Sequence, residues 1–449
     1  MSRRLTTVPP LRGKRKHRVS LMRILQIVKT SDGARWAALQ AGELVRLGAD
    51  VHVALPCASG SHVKEWEDAK VTIHVAPLDY PARTPWHLPS VCSRARALVA
   101  SLKPDIIHAH HVGPALVMRQ ALGQKHPIPR VFQVPGPLHL EHWPFRAWEL
   151  SLAGANDFWI ASSRCIKDRY VRAGVHGSKL FLSYYGFRSG AFSTVRSNLL
   201  RRRLNIPADA LVVGNISYIY APKYYLGQRV GLKCHEDLIA ALAVVLRRRS
   251  NVFGVLAGGP WARASRYAQE LRQRAEAIGG GRILMPGQLA LSEVLESWPD
   301  FDCAIHVPLS ENCGGVVEPL LAAVPTIAGN VGGLPEVVID GLTGRLVPIR
   351  NPGALAESIF ESLTNPEEHR GMARLGRELV ATMFDVRRTA REVYQVYCHI
   401  LDRAQDAPPE FDARLFLADR VLNPSDACEV QSPCRTTRDT FDEQMHQTA

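Results

Sequence analysis

A chain of 449 residues, 46% of them apolar and 22% charged, is longer than one average domain and too apolar to be disordered throughout. Its formal net charge is +13, yet nine Lys/Arg and no acid fall within residues 1–31, which leaves +4 for the other 418 residues. The basic balance is therefore mostly a tail and gives no support for a nucleic-acid-binding body. Residues 24–28 (ILQIV) form a short β-rich apolar run of the kind found in a buried parallel strand. Through Lys29-Thr30-Ser31-Asp32-Gly33 they lead into a helical pattern over 34–47, with Trp36, Leu39, Leu44 and Leu47 on one stripe. Gly48 stops that helix and 51–55 (VHVAL) begins a second strand. A helix over 95–102 ends at Pro104, strand 106–107 carries His108, His110 and His111 at its end, and strand 131–134 runs into Pro135-Gly136-Pro137. This alternation predicts an α/β fold with doubly wound parallel sheets.

The cationic stretch 196–203 and Pro207 mark an interdomain linker, after which the alternation resumes. Strand 211–213, helix 236–249, strand 252–256 with Gly258-Gly259-Pro260, helix 264–278, strand 282–285, helix 292–298 and strand 303–307 follow in order. Next come a glycine-rich segment at 311–318, strand 325–328, helices 353–364 and 366–382, and a last helix 386–401. Residues 403–449, with nine Asp/Glu against five Lys/Arg, read as a mostly disordered acidic tail. Nine cysteines, odd in number and without a Cys-x-x-Cys pair, fit neither a disulfide framework nor a zinc site and point to a reducing cytoplasm. No run approaches the roughly 18 apolar residues of a bilayer span. Residues 1–20 are either a solvated extension or a contact with an anionic membrane surface, on the inner face of the membrane.

The chemistry concentrates in 310–336. Gly314 and Gly315 follow a buried strand and precede a helix expected to start near Val316 or Val317, because Pro319 is best tolerated in a first turn. Amides around Cys313, Gly314, Gly315 and Val316 then face outward at a positive helix end, a ready site for a phosphate or pyrophosphate. Glu311 and Glu318 flank it. A carboxylate beside such a nest is unfavourable unless it serves another group, and a ribose cis-diol suits Glu318, leaving Glu311 for hydroxyls of whatever the diphosphate carries. The plainer alternative makes Glu318 a helix-dipole charge and the glycines a tight turn. Cys313 sits at a helix start without a base and reads as a loop filler. His108, His110 and His111 lack a nearby acid or Cys ligand, so no metal is expected there.

These residues resemble the donor-binding signature of retaining glycosyltransferases of family 4, which have the GT-B fold. Glu311, Gly314-Gly315, Glu318, Val324-Pro325-Thr326-Ile327-Ala328, Gly332-Gly333 and Pro335-Glu336 carry the likeness, and Gly341-Leu-Thr-Gly344 continues it. More weakly, Gly33 after the first strand resembles the first phosphate-facing loop, and Asp105-Ile-Ile-His-Ala-His110 the third-strand motif. Tyr185-Gly186-Phe187 resembles the end of the first domain, and Lys233-Cys234-His235-Glu236 the lysine segment that reaches the donor phosphate. The resemblance implies two Rossmann-like domains facing a central cleft. The domains are 21–190 on the acceptor side and 211–384 on the donor side, with a 191–210 linker and a crossover helix at 385–402. It further implies transfer from a UDP- or GDP-linked sugar to a hydroxyl of a glycan, lipid-linked or small-molecule acceptor, without cofactor or obligatory metal. Catalytic roles fall to Glu311, Lys233 and His139; donor binding falls to Gly33, Lys223, Lys233, Cys313, Gly314, Gly315, Val316 and Glu318.

Several departures bear on this reading. Six residues separate Glu311 from Glu318 where the family has seven, so Ser310 stands at the usual separation. Gly214-Asn215 replaces the usual Gly-Arg, and Lys223 or Arg229 is the substitute cation. Cys234 replaces the glycine after the lysine. His139 and His142 are either turn residues or, for His139, a group near the reacting sugar. A sugar-nucleotide epimerase of the same fold and a degenerate module that only binds nucleotide-sugar are the rival readings.

Overall fold

The computed structural model describes residues 21–401 and 406–422, in a main unit ending at Pro409 and a separate unit from Glu410. The basic segment 1–20 lies outside the described residues, as do 402–405 and 423–449. The main unit is built on two all-parallel sheets. The first contains β1 (Arg23–Ile27), β2 (Asp50–Leu55), β3 (Thr72–Val75), β4 (Ile106–Ala109), β5 (Arg130–Val134), β6 (Asp157–Ala161) and β7 (Leu180–Leu182), in the order β3-β2-β1-β4-β5-β6-β7. The second contains β8 (Leu211–Ile216), β9 (Val252–Ala257), β10 (Ile283–Gly287), β11 (Cys303–His306), β12 (Thr326–Gly329) and β13 (Arg345–Val347), in the order β10-β9-β8-β11-β12-β13. Unbroken apolar runs such as Ile24-Leu25, both without exposed surface, are what a parallel strand covered on two faces demands.

Strand order reverses between β1 and β4 in the first sheet and between β8 and β11 in the second. In open α/β sheets such reversals leave a crevice beyond the strand C-termini, because neighbouring crossovers leave on opposite faces. The loops after β1, β4, β8 and β11 are therefore where a ligand belongs.

The helix Val386–Ile400 returns to the first sheet, where Val393, Val396 and Tyr397 are buried in one cluster with Ile24 and Val53. Two backbone bonds tie the segments that pass between domains: Phe187 N–H to Phe384 O at 2.7 Å and Val386 N–H to Phe187 O at 3.2 Å. Glycine is required at 186, since a β-carbon there would lie 2.4 Å from Val386 Cα. The segment expected as a linker carries its own helix, Leu199–Arg203, and is fastened to the second domain. Asp300 accepts from the amides of Asn198 (2.7 Å) and Leu200 (2.9 Å), and Arg201 pairs with Asp302 at 2.9 Å.

Within the stretch read as a mostly disordered tail, Ala413–Leu422 is a helix. Asp412 caps it, accepting from Arg414 N–H (2.9 Å) and Leu415 N–H (3.2 Å), while the Phe411 ring rests on Phe416 with centroids 6.0 Å apart. A cap plus a hydrophobic staple stabilises a helix that composition alone does not announce.

Candidate functional site

β11 delivers His306 at its C-terminal end, and the following loop turns Glu311 back onto it. His306 Nε2 lies 2.9 Å from Glu311 Oε2, and Lys233 Nζ bonds the same oxygen. Glu311 Oε1 accepts from the Asn312 amide at 3.1 Å. Lys233 reaches the loop because Leu309 N–H bonds Leu232 O at 2.9 Å, joining the two loops edge to edge. Burial works against the Glu311 charge, but Lys233 and the His306 hydrogen bond outweigh it and hold the carboxyl well below its usual range. His306 is pushed down by burial and then by Lys233, so the imidazole is neutral; its Nε2 must carry the hydrogen that a carboxylate accepts. His306 has one signal in the sequence, a polar residue closing an otherwise apolar strand. Glu311, rather than Ser310, is the acid brought to Lys233, so the short spacing to Glu318 is absorbed in the loop.

The helix after the glycines runs Gly314–Leu321 and starts two residues earlier than Pro319 suggested. Pro319 stands sixth in it, where its ring crowds and its missing N–H deprives the carbonyl four residues back. That residue is Gly315, and with Gly314 it begins the helix. Val316 N–H turns inward to Cys313 O at 3.4 Å, so the amides at the open end are those of Gly314 and Gly315. The Cys313 thiol is fully buried, donates to Gly333 O at 3.3 Å and is pushed up in pKa by burial; this residue supplies backbone, not thiolate chemistry. Cys234, at φ 48°, occupies the left-handed region, which explains why a glycine is usual after the lysine.

Glu318 accepts from the Trp298 indole N–H at 3.2 Å; burial raises its pKa, with Arg35 pulling the other way. Lys223 is partly buried and its pKa is lowered, first by burial and then by Lys29 of the first domain. Gly33 faces the second domain, where a β-carbon on it would stand 3.4 Å from the edge of Trp261, and Trp261 packs on Tyr218 at 5.0 Å. His139 has its Nε2 3.2 Å from Tyr170 Oη and its ring 5.7 Å from Phe132, both first-domain residues. Burial takes its pKa to about 4. His108 and His110 stack at 4.1 Å and bond Tyr397 and Tyr185, which makes them interior residues. Among the described residues, no group of three or more His, Cys, Asp or Glu is placed to hold a metal ion.

A β-carbon at Gly315 would lie 2.0 Å from His306 Nε2. Gly315→Ala is therefore expected to push His306 off Glu311 and to weaken nucleotide binding about tenfold, the scale of a modest overpacking strain. Titration calorimetry with UDP and GDP reads this; unchanged affinity means the contact relaxes at no cost.

Two sequence families match in chain order: Glycosyltransferase Family 4 over residues 33–187 and Glycosyl transferases group 1 over residues 224–379. The chain belongs to glycosyltransferase family 4. Among its relatives is a D-inositol 3-phosphate glycosyltransferase of Streptomyces coelicolor, 31% identical over 173 residues, which are 37% of this chain and 36% of that protein. A glycogen synthase of Mycobacterium tuberculosis is 25% identical over 66% of this chain and 69% of its own length. The match thus spans 36% and 48% of the first two curated relatives' lengths. Of solved structures, Anabaena HepE in complex with UDP and glucose superposes with a TM-score of 0.70 at 20% identity, covering 84% of this chain and 99% of that one. Sucrose-phosphate synthase of Thermosynechococcus elongatus gives 0.68 at 21% identity, covering 85% and 99%. This family member accordingly has the GT-B fold, with Lys233, Glu311 and the Gly314 helix end at the second domain's switch point. Among its described residues no helix is long and apolar enough to cross a membrane.

Proposed function

We propose that this protein moves a sugar from a UDP- or GDP-linked donor to a hydroxyl of a glycan, lipid-linked or small-molecule acceptor. Transfer proceeds with retention and without an obligatory metal. The observation that carries the reading is the cluster of Lys233, Glu311 and His306 beside the open amides of Gly314 and Gly315, in the crevice between two Rossmann-like domains. A diphosphate on those amides faces a fixed ammonium and a positive helix end, and charge building on it as the sugar leaves is stabilised without reorganisation. The acceptor oxygen bonds the anomeric carbon on the side from which the phosphate oxygen departs, and that phosphate oxygen takes the acceptor's proton. The ionised Glu311 holds sugar hydroxyls, while Glu318, fixed by Trp298, takes the ribose diol. Lys223 adds positive charge from the loop after β8. His139, held at Tyr170, enters no step of this scheme. Solved structures of similar fold that hold UDP and UDP-glucose support the donor class. An acceptor at an anionic membrane surface, with residues 1–20 on the lipid, is part of the same proposal.

A screen of isotopically labelled sugar nucleotides with mixed acceptors tests it, with the anomeric configuration of the product read by NMR. Glu318→Ala is expected to raise the donor KM at least tenfold, the scale of a lost charge-assisted pair of hydrogen bonds. Inverted product sinks the retaining step. Isomerised free sugar-nucleotide without any acceptor means an epimerase, and tight nucleotide binding without turnover means a binding module.

A further inference from the structure

Glu336 ends the motif that the sequence reading singled out, yet the donor chemistry does not use it. It belongs to the second domain, but its hydrogen bonds run to the first. Oε2 accepts from Arg164 N–H at 2.8 Å and from the Tyr184 hydroxyl at 2.9 Å, and Oε1 accepts from Cys165 N–H at 2.8 Å. Arg164 and Cys165 open the helix Arg164–Arg172, whose cap Ser163 takes the Ile166 amide with its hydroxyl at 3.2 Å and the Lys167 amide with its carbonyl at 3.0 Å. The two amides left over at a helix start carry partial positive charge and need an acceptor, and the other domain provides it.

The same place is tied to the donor loop. Asn312 Nδ2, one residue after Glu311, donates to Ser162 Oγ of the first domain at 2.9 Å. Gly333 N–H bonds Glu311 O at 3.3 Å, and a β-carbon at Gly332 would lie 1.8 Å from that carbonyl. A β-carbon at Gly333 would stand 3.0 Å from Ser163 Cβ. Tyr184 stands in the segment that passes between domains, with its ring 5.3 Å from Phe384. One carboxylate thus joins the domain connection, a first-domain helix end and the strut behind Glu311.

We infer that Glu336 is an interdomain latch and a positioning residue: by gripping the start of the helix Arg164–Arg172, it lets closure of the two domains fix the loop that holds Glu311, Gly314 and Gly315. The reading rests on the proposed donor site for its consequence, although the latch itself is defined by contacts alone. Hinged domain closure is a common way of completing a site, and a latch is the contact that only the closed arrangement makes.

The test uses the full chain as wild type, Glu336→Gln and Glu336→Ala, with Asn312→Ala as a second break in the same seam. Amide exchange at Arg164 and Cys165 is expected to rise at least tenfold in Glu336→Ala and less in Glu336→Gln, which keeps one acceptor oxygen. Protection in β1 and β8 is expected to stay as in wild type. Small-angle scattering should show a larger radius of gyration in Glu336→Ala, and UDP or GDP should bind about tenfold more weakly. Faster exchange with wild-type scattering and wild-type nucleotide affinity makes Glu336 a helix cap only and overturns the latch. If wild type binds neither nucleotide, the donor-site reading fails, while exchange and scattering still decide the latch. Should Glu336→Ala not fold, the comparison of Glu336→Gln and Asn312→Ala with wild type decides by the same readouts.

Discussion

Lys233→Met is expected to lower turnover of the sugar-nucleotide by about a hundred- to a thousandfold, the loss seen when one preorganised group is removed from a developing oxyanion. Lys233 and Glu311 are both largely buried, so this change also strands a carboxylate with only His306 and the Asn312 amide for support. Breaking one side of a buried pair costs about 3–5 kcal/mol, which is a large share of a domain's stability. The two effects are separable. Lys233→Met combined with Glu311→Gln removes the stranded charge and should recover most of the lost thermal stability, yet none of the lost turnover. Thermal melts give the first quantity and initial rates with the best donor of the screen give the second. Rates in the double variant near wild type would show that Lys233 is a structural partner of Glu311 and nothing more. Rescue by Lys233→Arg is expected to be partial, since the guanidinium keeps the charge but not the compact reach of the ammonium.

Acid should unfold this protein well before its carboxylates titrate. Burial drives His108, His111 and His235 from the ordinary 6.5 to about 3, and His139 to about 4; His110 is held well below 6.5 as well. Each is neutral when folded, whereas the unfolded chain binds a proton at each as pH falls below 6.5. The stability tied to neutral histidine is therefore complete above 6.5 and is lost from there down to the folded values. Each such histidine contributes a slope of up to about 1.4 kcal/mol per pH unit, and the five together give roughly 7 kcal/mol per unit at most, against a total of about 5–15 kcal/mol for a typical protein. The transition temperature is expected to fall steeply between pH 6.5 and 5, and calorimetric scans across that range check it. A flat profile would mean that these rings gain protons in the folded state. His108→Gln, uncharged at every pH, should flatten the slope by one proton; in parallel, Glu311 adds its own loss only below its ordinary value of 4.5.

Much of this architecture follows from short-range pattern. Apolar runs of four to six residues, each followed by a glycine or proline turn and a helical stripe, are enough to imply two doubly wound halves, because a covered parallel strand admits little else. Two edge strands escaped that pattern. β3, none of whose residues is buried, has no apolar run to show, and β7, although buried and apolar, is only three residues long. The Gly314 helix start was misplaced because proline reads as a first-turn residue, whereas here Pro319 stands sixth in the helix and leaves the Gly315 carbonyl without its helical partner. His139 follows a strand end, and only the fold shows that its ring is buried against Tyr170.

By itself, the sequence determined the fold class and a glycine-rich turn into a helix flanked by Glu311 and Glu318, whereas Lys233 entered only through a family resemblance. Those glycines and glutamates are local requirements: a glycine where amides must open, a charge next to them, a strand before and a helix after. It also placed the net charge of +13 mostly in a tail and left the body only mildly basic. Only the tertiary structure decided which groups meet. His306 and Lys233 stand 73 residues apart yet share one carboxylate oxygen, and Glu336 reaches 172 residues back to Arg164. Such pairings depend on which strands lie side by side and on how two domains close, and neither leaves a periodic trace along the chain. The state of Glu311 illustrates the difference: its position is local, but its charge is set by burial opposed by two partners that the fold alone brings to it.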